Sequence, residues 1–293
     1  EVSPSVPRMN SAVAMMPVQA GRGCQHRCSF CSIACVYQGR YMSRPVDDVV
    51  RDIGRVKELG YRGFYMVDDN LIGDRDYLDE LVARIKPLKM FWASQCSLNL
   101  ARSPGLMKRV AAAGCRILSF GLESNSQEGL DKLNKSWVKV GDHEELLMRV
   151  NRAGIMANAE FILGTDGDTQ ESIRELYEFA VRTKIAIARF YILTPIPGTD
   201  LYKQFKQEGR LLHEDYRYYT STHCVYKPAK MTPDELQESY QWVIDRIYSL
   251  PSILRRTVFN RNFLRHPLLY LYALLVNLDY RKLVRNGEAP NVH

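Results

Sequence analysis

Two spacings of apolar residues alternate along this chain, and that alternation is its first structural signal. Helix-period stretches close on glycine: residues 45–59 open with proline and acids and stop at Gly60, 103–113 stop at Gly114, and 142–153 stop at Gly154. Each leads into a short apolar run that reads as a strand, at 63–67, 116–122 and 157–163. A helical stretch at 75–85 precedes a strand at 90–95, and one at 168–183 precedes a strand at 187–193. With a short buried strand at 16–20 before them, the pattern gives six strands alternating with helices. This is an α/β arrangement, a parallel sheet with helices packed outside it. An open doubly wound sheet and a curved partial barrel both satisfy the pattern, and in both the function sits at the carboxyl ends of the strands.

Polar residues do gather at those ends. They are Asp68-Asp69-Asn70, Ser94-Gln95, Glu123-Ser124, the stretch 164–168 and the stretch 194–198. Asp168 and Thr199 read as helix N-caps and Pro197-Gly198 as a turn. Asp68 and Asp69 suit substrate binding and capping of the next helix equally well. Glu123 follows an apolar strand directly, where no local capping role is evident.

From about Lys203 the character changes, giving a core over 1–205 and a mostly helical C-terminal extension over 206–293. Residues 216–226 are aromatic and irregular, and with the C-terminal helices they are candidates to close over the site. Thr232-Pro-Asp-Glu-Leu starts a capped helix expected to run to about Leu250, where Pro251 stops it. An arginine-bearing stretch at 255–265 leads into the apolar run 267–276. That run could pack on the core, cover a neighbouring domain, or lie on a membrane with Arg255, Arg256, Arg261 and Arg265 near lipid headgroups. Its shortness makes simple packing the preferred expectation.

Composition narrows the class. The chain has 293 residues, 46% apolar and 25% charged, which suits an ordinary globular protein with a full core. A net charge of +7 is compatible with nucleic acid, anionic lipid or an anionic cofactor, but no Lys/Arg-rich block favours nucleic acid. Seven cysteines, an odd number with three clustered, argue against a secreted disulfide framework and for a reducing, cytoplasmic setting. The first seven residues are polar and proline-broken, unlike a signal peptide, and the missing initiator Met points to a trimmed or excised chain.

The clustered thiols are Cys24, Cys28 and Cys31, in a loop opened by Gly21-Arg22-Gly23. Thiolates are soft ligands for iron–sulfur clusters, zinc or copper(I). Zinc-finger spacing would need a second Cys-x-x-Cys pair, and none follows. Three ligands on a four-iron cluster leave one iron open, which suits catalysis. The competing reading is a zinc site completed by His26 or Cys35, in a non-enzymatic α/β binding module. Cys96, Cys115 and Cys224 are scattered and read as core residues.

The CxxxCxxC triplet after the first strand, with an acid after the fourth, resembles the signature of the radical S-adenosylmethionine (SAM) superfamily over roughly residues 16–200. The resemblance implies a partial (β/α)6 TIM-like barrel. It implies that Cys24, Cys28 and Cys31 hold a 4Fe–4S cluster whose open iron chelates SAM, and that an electron cleaves SAM to a 5′-deoxyadenosyl radical. Phe30 matches the aromatic beside the adenine, Glu123 in Gly-Leu-Glu-Ser matches the acid at the ribose or methionyl part, and Lys135 stands where a base meets the SAM carboxylate. Ile162 and Gly164 match the fifth-strand adenine motif, although Glu160 replaces its usual glycine. On this mapping Cys35 does not ligate, because SAM needs the open iron, and it is expected as a packed cysteine. His26 is expected as a solvated or supporting residue.

The Val67-Asp-Asp-Asn70 strand end, the stretch 194–202 and the Met231-Thr-Pro-Asp-Glu-Leu helix start look most like cobalamin-associated members of the superfamily. Such members carry an N-terminal cobalamin-binding domain, and several methylate unactivated carbons or act on lipid, terpenoid or pigment skeletons. Only about fifteen residues precede the first strand here, so the chain is expected either to be an excised catalytic portion or to work without cobalamin. The expected partners are a small lipid-like or natural-product substrate and an electron donor such as flavodoxin or ferredoxin, with peripheral membrane contact as an option and no nucleic acid. A rearrangement, cyclisation or oxidation without cobalamin is the alternative chemistry.

Overall fold

The computed structural model describes residues 15–288, so the polar opening and its reading as no signal peptide lie outside the described residues. Six strands form one parallel sheet: β1 (Met15–Val18), β4 (Gly63–Met66), β5 (Phe91–Gln95), β6 (Cys115–Glu123), β7 (Met156–Leu163) and β8 (Ile187–Ile192). They lie side by side in chain order, β1-β4-β5-β6-β7-β8. A doubly wound sheet reverses its strand order at a switch point, whereas a barrel winds one way only. The sequential order therefore selects the partial barrel, open between β1 and β8.

Strand alternation supplies two apolar faces. Phe64, Trp92, Phe120, Phe161 and Phe190 belong to the large cluster that packs the outer helices. Those helices are α2 (Val46–Glu58), α3 (Arg75–Ile85), α4 (Pro104–Ala112), α6 (His143–Arg152) and α7 (Gln170–Arg182). In α2, Val46, Val49, Ile53 and Val56 recur at helical spacing and are buried as one stripe. On the inner face Ala93, Ile117, Met156 and Ile187 form a second, smaller cluster with Tyr270 and Ala273.

Two further strands escape the sequence pattern. β2 (Gly21–Gly23) and β3 (Tyr41–Ser43) pair as an antiparallel ribbon that brackets the cysteine loop and α1 (Ser32–Tyr37). Gly21 is required there, because a Cβ at that position would overlap the Tyr41 ring, 2.7 Å from Cζ. Short helices α5 (Gln127–Lys132) and α8 (Asp200–Gln207) follow β6 and β8. Thr199 caps α8 as expected, accepting from the Tyr202 amide at 3.2 Å.

The C-terminal extension departs from expectation at one place. Helix α9 (Pro233–Ile247) starts at Thr232 with the expected reciprocal cap through Glu235, but Pro251 does not end it. Instead Pro251 lies in the first turn of a new helix, α10 (Leu250–Arg256), where a missing amide costs nothing. Arg256, one of the four arginines that the membrane alternative places near lipid headgroups, is fully buried, as simple packing requires. Its guanidinium donates to the carbonyls of Ile185, Ala186 and Ile247 and to Asn277 Oδ1, at 2.7–3.1 Å. Those bonds fasten α10 and the last helix, α11 (Pro267–Arg285), to the start of β8.

Candidate active site

The carboxyl ends of the strands converge on a cavity of about 220 Å³. Cys24, Cys28 and Cys31 line it together with Phe30, Glu123 and Lys135, so six of the eight residues singled out in the sequence meet there. Ile162 and Gly164 sit further along β7 and its end and are not among the lining residues, although Glu160 of the same strand is. Gly164 has a left-handed φ of +88°, and a Cβ there would collide with Tyr226 and Leu236, so its backbone is packed against the extension.

The cysteine loop is held from several sides. Asp68 accepts from the Ala20 amide at 2.8 Å and Asp69 from the Gly23 amide at 2.7 Å. The two acids thus anchor the loop's base. Neither caps the next helix, whose N-cap is Asp74. Asn70 donates to Gln25 Oε1 at 3.2 Å and to Cys24 Sγ at 3.6 Å, while its own oxygen accepts from the Ser97 amide. On the far side the Ser29 amide donates to the Leu133 carbonyl at 3.0 Å, and Asn134 Nδ2 donates to the Arg27 carbonyl at 2.7 Å. The loop is therefore tied to the segment that delivers Lys135.

Glu123 and Lys135 form a buried ion pair with 2.6 Å between Oε1 and Nζ, and Nζ also donates to the Gly121 carbonyl at 3.0 Å. Three backbone features make room for it. Glu123 adopts a left-handed φ of +64°, uncommon outside glycine and a mark of local strain. The β6–β7 register slips between Gly121 and Glu123. Gly121 must lack a side chain, since a Cβ would collide with the Glu123 carboxylate and lie 3.3 Å from Lys135 Nζ. Burial pulls the Lys135 ammonium down, but Glu123 and Cys28 outweigh it and hold the lysine above its ordinary value. Burial also pushes the Cys28 thiol up to about 11 despite Lys135, so thiolate at this position needs a cation to stabilise it.

Other expectations need correction. Cys35 is not packed: it is exposed on α1, its Sγ–H donating to the Gly198 carbonyl at 3.1 Å. Cys96 and Cys115 are buried as expected, and Cys224 is half-buried. His26 stacks on Trp137, with ring centroids 3.5 Å apart and planes 7° off parallel. Of the two partners suggested for a zinc site, Cys35 is thus turned away to Gly198, while His26 lines the cavity with its ring stacked on Trp137. Among the described residues no three His, Cys, Asp or Glu side chains converge on a single-ion position. A cluster spreads its thiolates over separate irons, and the soft donor set fits one. Asp168 is not the cap of α7, which is Thr169 in a reciprocal cap with Ser172. It is buried, accepting from the Gly164 and Thr165 amides at 3.0 and 2.8 Å and from Ser124 Oγ at 3.2 Å. It thereby joins the ends of β6 and β7.

Three further residues take part: Trp137 and His143, which no motif marks, and Glu160, visible in the sequence only as a departure from the adenine motif. Trp137 follows Lys135 by two residues and lines the cavity. Glu160 pairs at 2.5 Å with Arg189, its in-register neighbour on the adjacent strand β8. His143, at the start of α6, is buried behind Trp137 and Gly121, and neither ring nitrogen has a partner among the described residues. Burial, reinforced by the charge on Lys135, lowers its pKa to about 4. A histidine lowered in the folded state contributes stability that is full above its unfolded pKa of about 6.5 and is lost as pH falls toward 4. Between pH 7 and pH 5 this group should cost about 2 kcal/mol of stability. His143→Met should remove that share, which urea unfolding of both proteins at the two pH values would measure. Equal pH sensitivity of the two would contradict the assignment.

The family model of the radical SAM superfamily matches residues 18–180, more than half of the chain. The chain belongs to that superfamily. A second model, a domain of unknown function (DUF4070), matches residues 199–267. Bacteriochlorophyllide d C-12(1)-methyltransferase of Chlorobaculum tepidum is 28% identical over 83% of this chain and 53% of its own length. Anaerobic magnesium-protoporphyrin IX monomethyl ester cyclase of Cereibacter sphaeroides is 29% identical over 83% of this chain and 41% of its own length. Among solved structures, the cobalamin-dependent SAM radical enzyme OxsB, with aqua-cobalamin and SAM bound, superposes on 95% of this chain and 48% of its own. That match has a TM-score of 0.61 at 15% identity, a likeness of fold. The chain spans about half the length of these proteins. Among the described residues no helix is long and apolar enough to cross a membrane.

Proposed function

We propose that Cys24, Cys28 and Cys31 hold a 4Fe–4S cluster in an enzyme that reductively cleaves SAM and methylates an unactivated carbon of a small organic substrate with the help of cobalamin. The observation that carries this reading is one cavity lined by three free thiols and by a buried, strained Glu123–Lys135 pair. When bound, the cluster and SAM supply a 5′-deoxyadenosyl radical. The protein's own residues position and shield. Lys135 offers a fixed ammonium to the SAM carboxylate, and Glu123 holds that ammonium in place while facing the ribose or methionyl part. Phe30 borders the adenine, with Ile162 and Gly164 on the fifth-strand side of it. The core over 1–205 carries this chemistry and the extension over 206–293 buttresses it, with Tyr226 donating to the Gly164 carbonyl.

Methyl transfer is favoured because the bacteriochlorophyllide relative is named for it. The cyclase relative supports a second reading, ring formation without net methylation. Under either reading the substrate is a pigment, lipid-like or other natural-product skeleton, and a cytoplasmic flavodoxin or ferredoxin delivers the electron. The test is anaerobic reconstitution of the full-length protein with iron, sulfide, SAM and dithionite, with and without cobalamin. Cobalamin-dependent S-adenosylhomocysteine alongside 5′-deoxyadenosine is the expected result. 5′-Deoxyadenosine alone would favour ring formation or another rearrangement, and neither product would sink the proposal.

A further inference from the structure

Helix α11 has two unlike faces. Tyr270, Ala273 and Asn277 are buried against the inner floor of the barrel, at the amino ends of its strands. The opposite face is uncovered: Leu268 is 82% exposed and Leu275 66%, with Leu271 between them. On the connection from α10, just before the helix, Leu264 is 89% exposed and Phe259 66%. Lone exposed leucines need no explanation, but a stripe of them on one helix face marks an interaction surface.

Charge indicates what covers it. Between Asp245 and Asp279 the sequence has no carboxylate. Arg255 at the end of α10 and Arg261 and Arg265 on the connection to α11 are exposed and have no ion-pair partner among the described residues. The surface is also preformed. Arg256 locks α10 and α11 to β8, while Asn260 Nδ2 donates to the Lys184 carbonyl and Lys184 Nζ donates to the Phe259 carbonyl. An apolar stripe preceded in the chain by three exposed, unpaired arginines, on a helix unable to cross a bilayer, fits a surface that is apolar beneath a layer of phosphate.

We propose that this face docks on an anionic lipid bilayer, with the leucine stripe entering the acyl boundary and the three arginines meeting lipid phosphates. Because the stripe lies at the amino ends of the strands, docking leaves the cysteine-lined mouth facing water. The inference does not depend on which radical reaction the site performs.

The test is co-sedimentation of the purified full-length protein with vesicles of phosphatidylcholine alone or mixed with phosphatidylglycerol. Pelleting with the anionic vesicles, weakened by about 0.5 M salt, is expected, since screening acts on exposed charges. The double variant Leu264→Asp/Leu268→Asp and, separately, Arg261→Glu/Arg265→Glu should each weaken binding roughly tenfold or more. All four positions are exposed and lie far from the cavity, so 5′-deoxyadenosine formation should not change. Failure to pellet, salt-independent binding to neutral vesicles, or undiminished binding by both variants would overturn the proposal. So would resistance of the Leu268 and Leu275 side chains to hydroxyl-radical footprinting in the lipid-free full-length protein, which would show that another segment or a second copy covers the face.

Discussion

Alanine at Cys24, Cys28 or Cys31 should each abolish the brown colour of the anaerobically reconstituted protein and its formation of 5′-deoxyadenosine. Alanine at Cys35 should change neither. The contrast is built into the loop. The first three thiols line one cavity, with Asp69 holding the Gly23 amide before them, Asn70 the Cys24 and Gln25 side chains, and the Leu133 carbonyl the Ser29 amide between them. Cys35 lies on α1 with its thiol directed to Gly198. Losing one of three ligands leaves an iron without its thiolate, and no other cysteine in the loop faces the cavity to replace it. Iron and sulfide analysis with visible absorption reads the first property, and product chromatography reads the second. Substantial iron retention by any of the triplet variants, or a colourless wild type holding one zinc, would defeat the cluster assignment.

The second large effect concerns the buried pair. Lys135→Met should destabilise the protein by about 3–5 kcal/mol, because it strands the Glu123 carboxylate in a site where both side chains are below a tenth exposed. Glu123→Gln should cost less, since the amide keeps an acceptor for the ammonium. The double variant should recover much of the stability lost in Lys135→Met, because no uncompensated carboxylate remains. It should not recover SAM affinity or cleavage, which need the fixed charges themselves. Denaturant unfolding and SAM-binding titrations on all four proteins separate the two roles. If stability and SAM affinity returned together in the double variant, the pair would be scaffolding only.

Much of this architecture was legible because it is periodic. Six strands at their predicted positions and glycine-stopped helices follow from apolar spacing alone, and sequential winding then selected the barrel. The departures share a cause: neighbours in sequence suggest short-range chemistry, while the actual partners lie elsewhere in the fold. Asp168 has the spacing of a cap but bonds backbone at the end of β7 and a serine after β6. Asp68 and Asp69 precede a helix but hold the strand before the cysteines. Arg256 looks like any arginine in a basic stretch until the carbonyls at the start of β8 are seen around it. The β2–β3 ribbon has three residues in each strand, too few for alternation to register. At the site itself the motif residues were readable, while Trp137 and His143 were not and Glu160 showed only as a departure from the adenine motif, since each acts through a contact that only the folded barrel creates.

The inner floor of the barrel also sets a timetable for synthesis. Met15 on the first strand and Tyr270 on the last helix belong to one small cluster although roughly 250 residues of chain separate them. At a ribosomal pace of about 5–20 residues per second, the first strand waits on the order of ten to fifty seconds for the side chain that completes its floor. During that interval the apolar bottom of the nascent barrel stands open. A chaperone that shields growing chains therefore has its natural target at the amino ends of these strands.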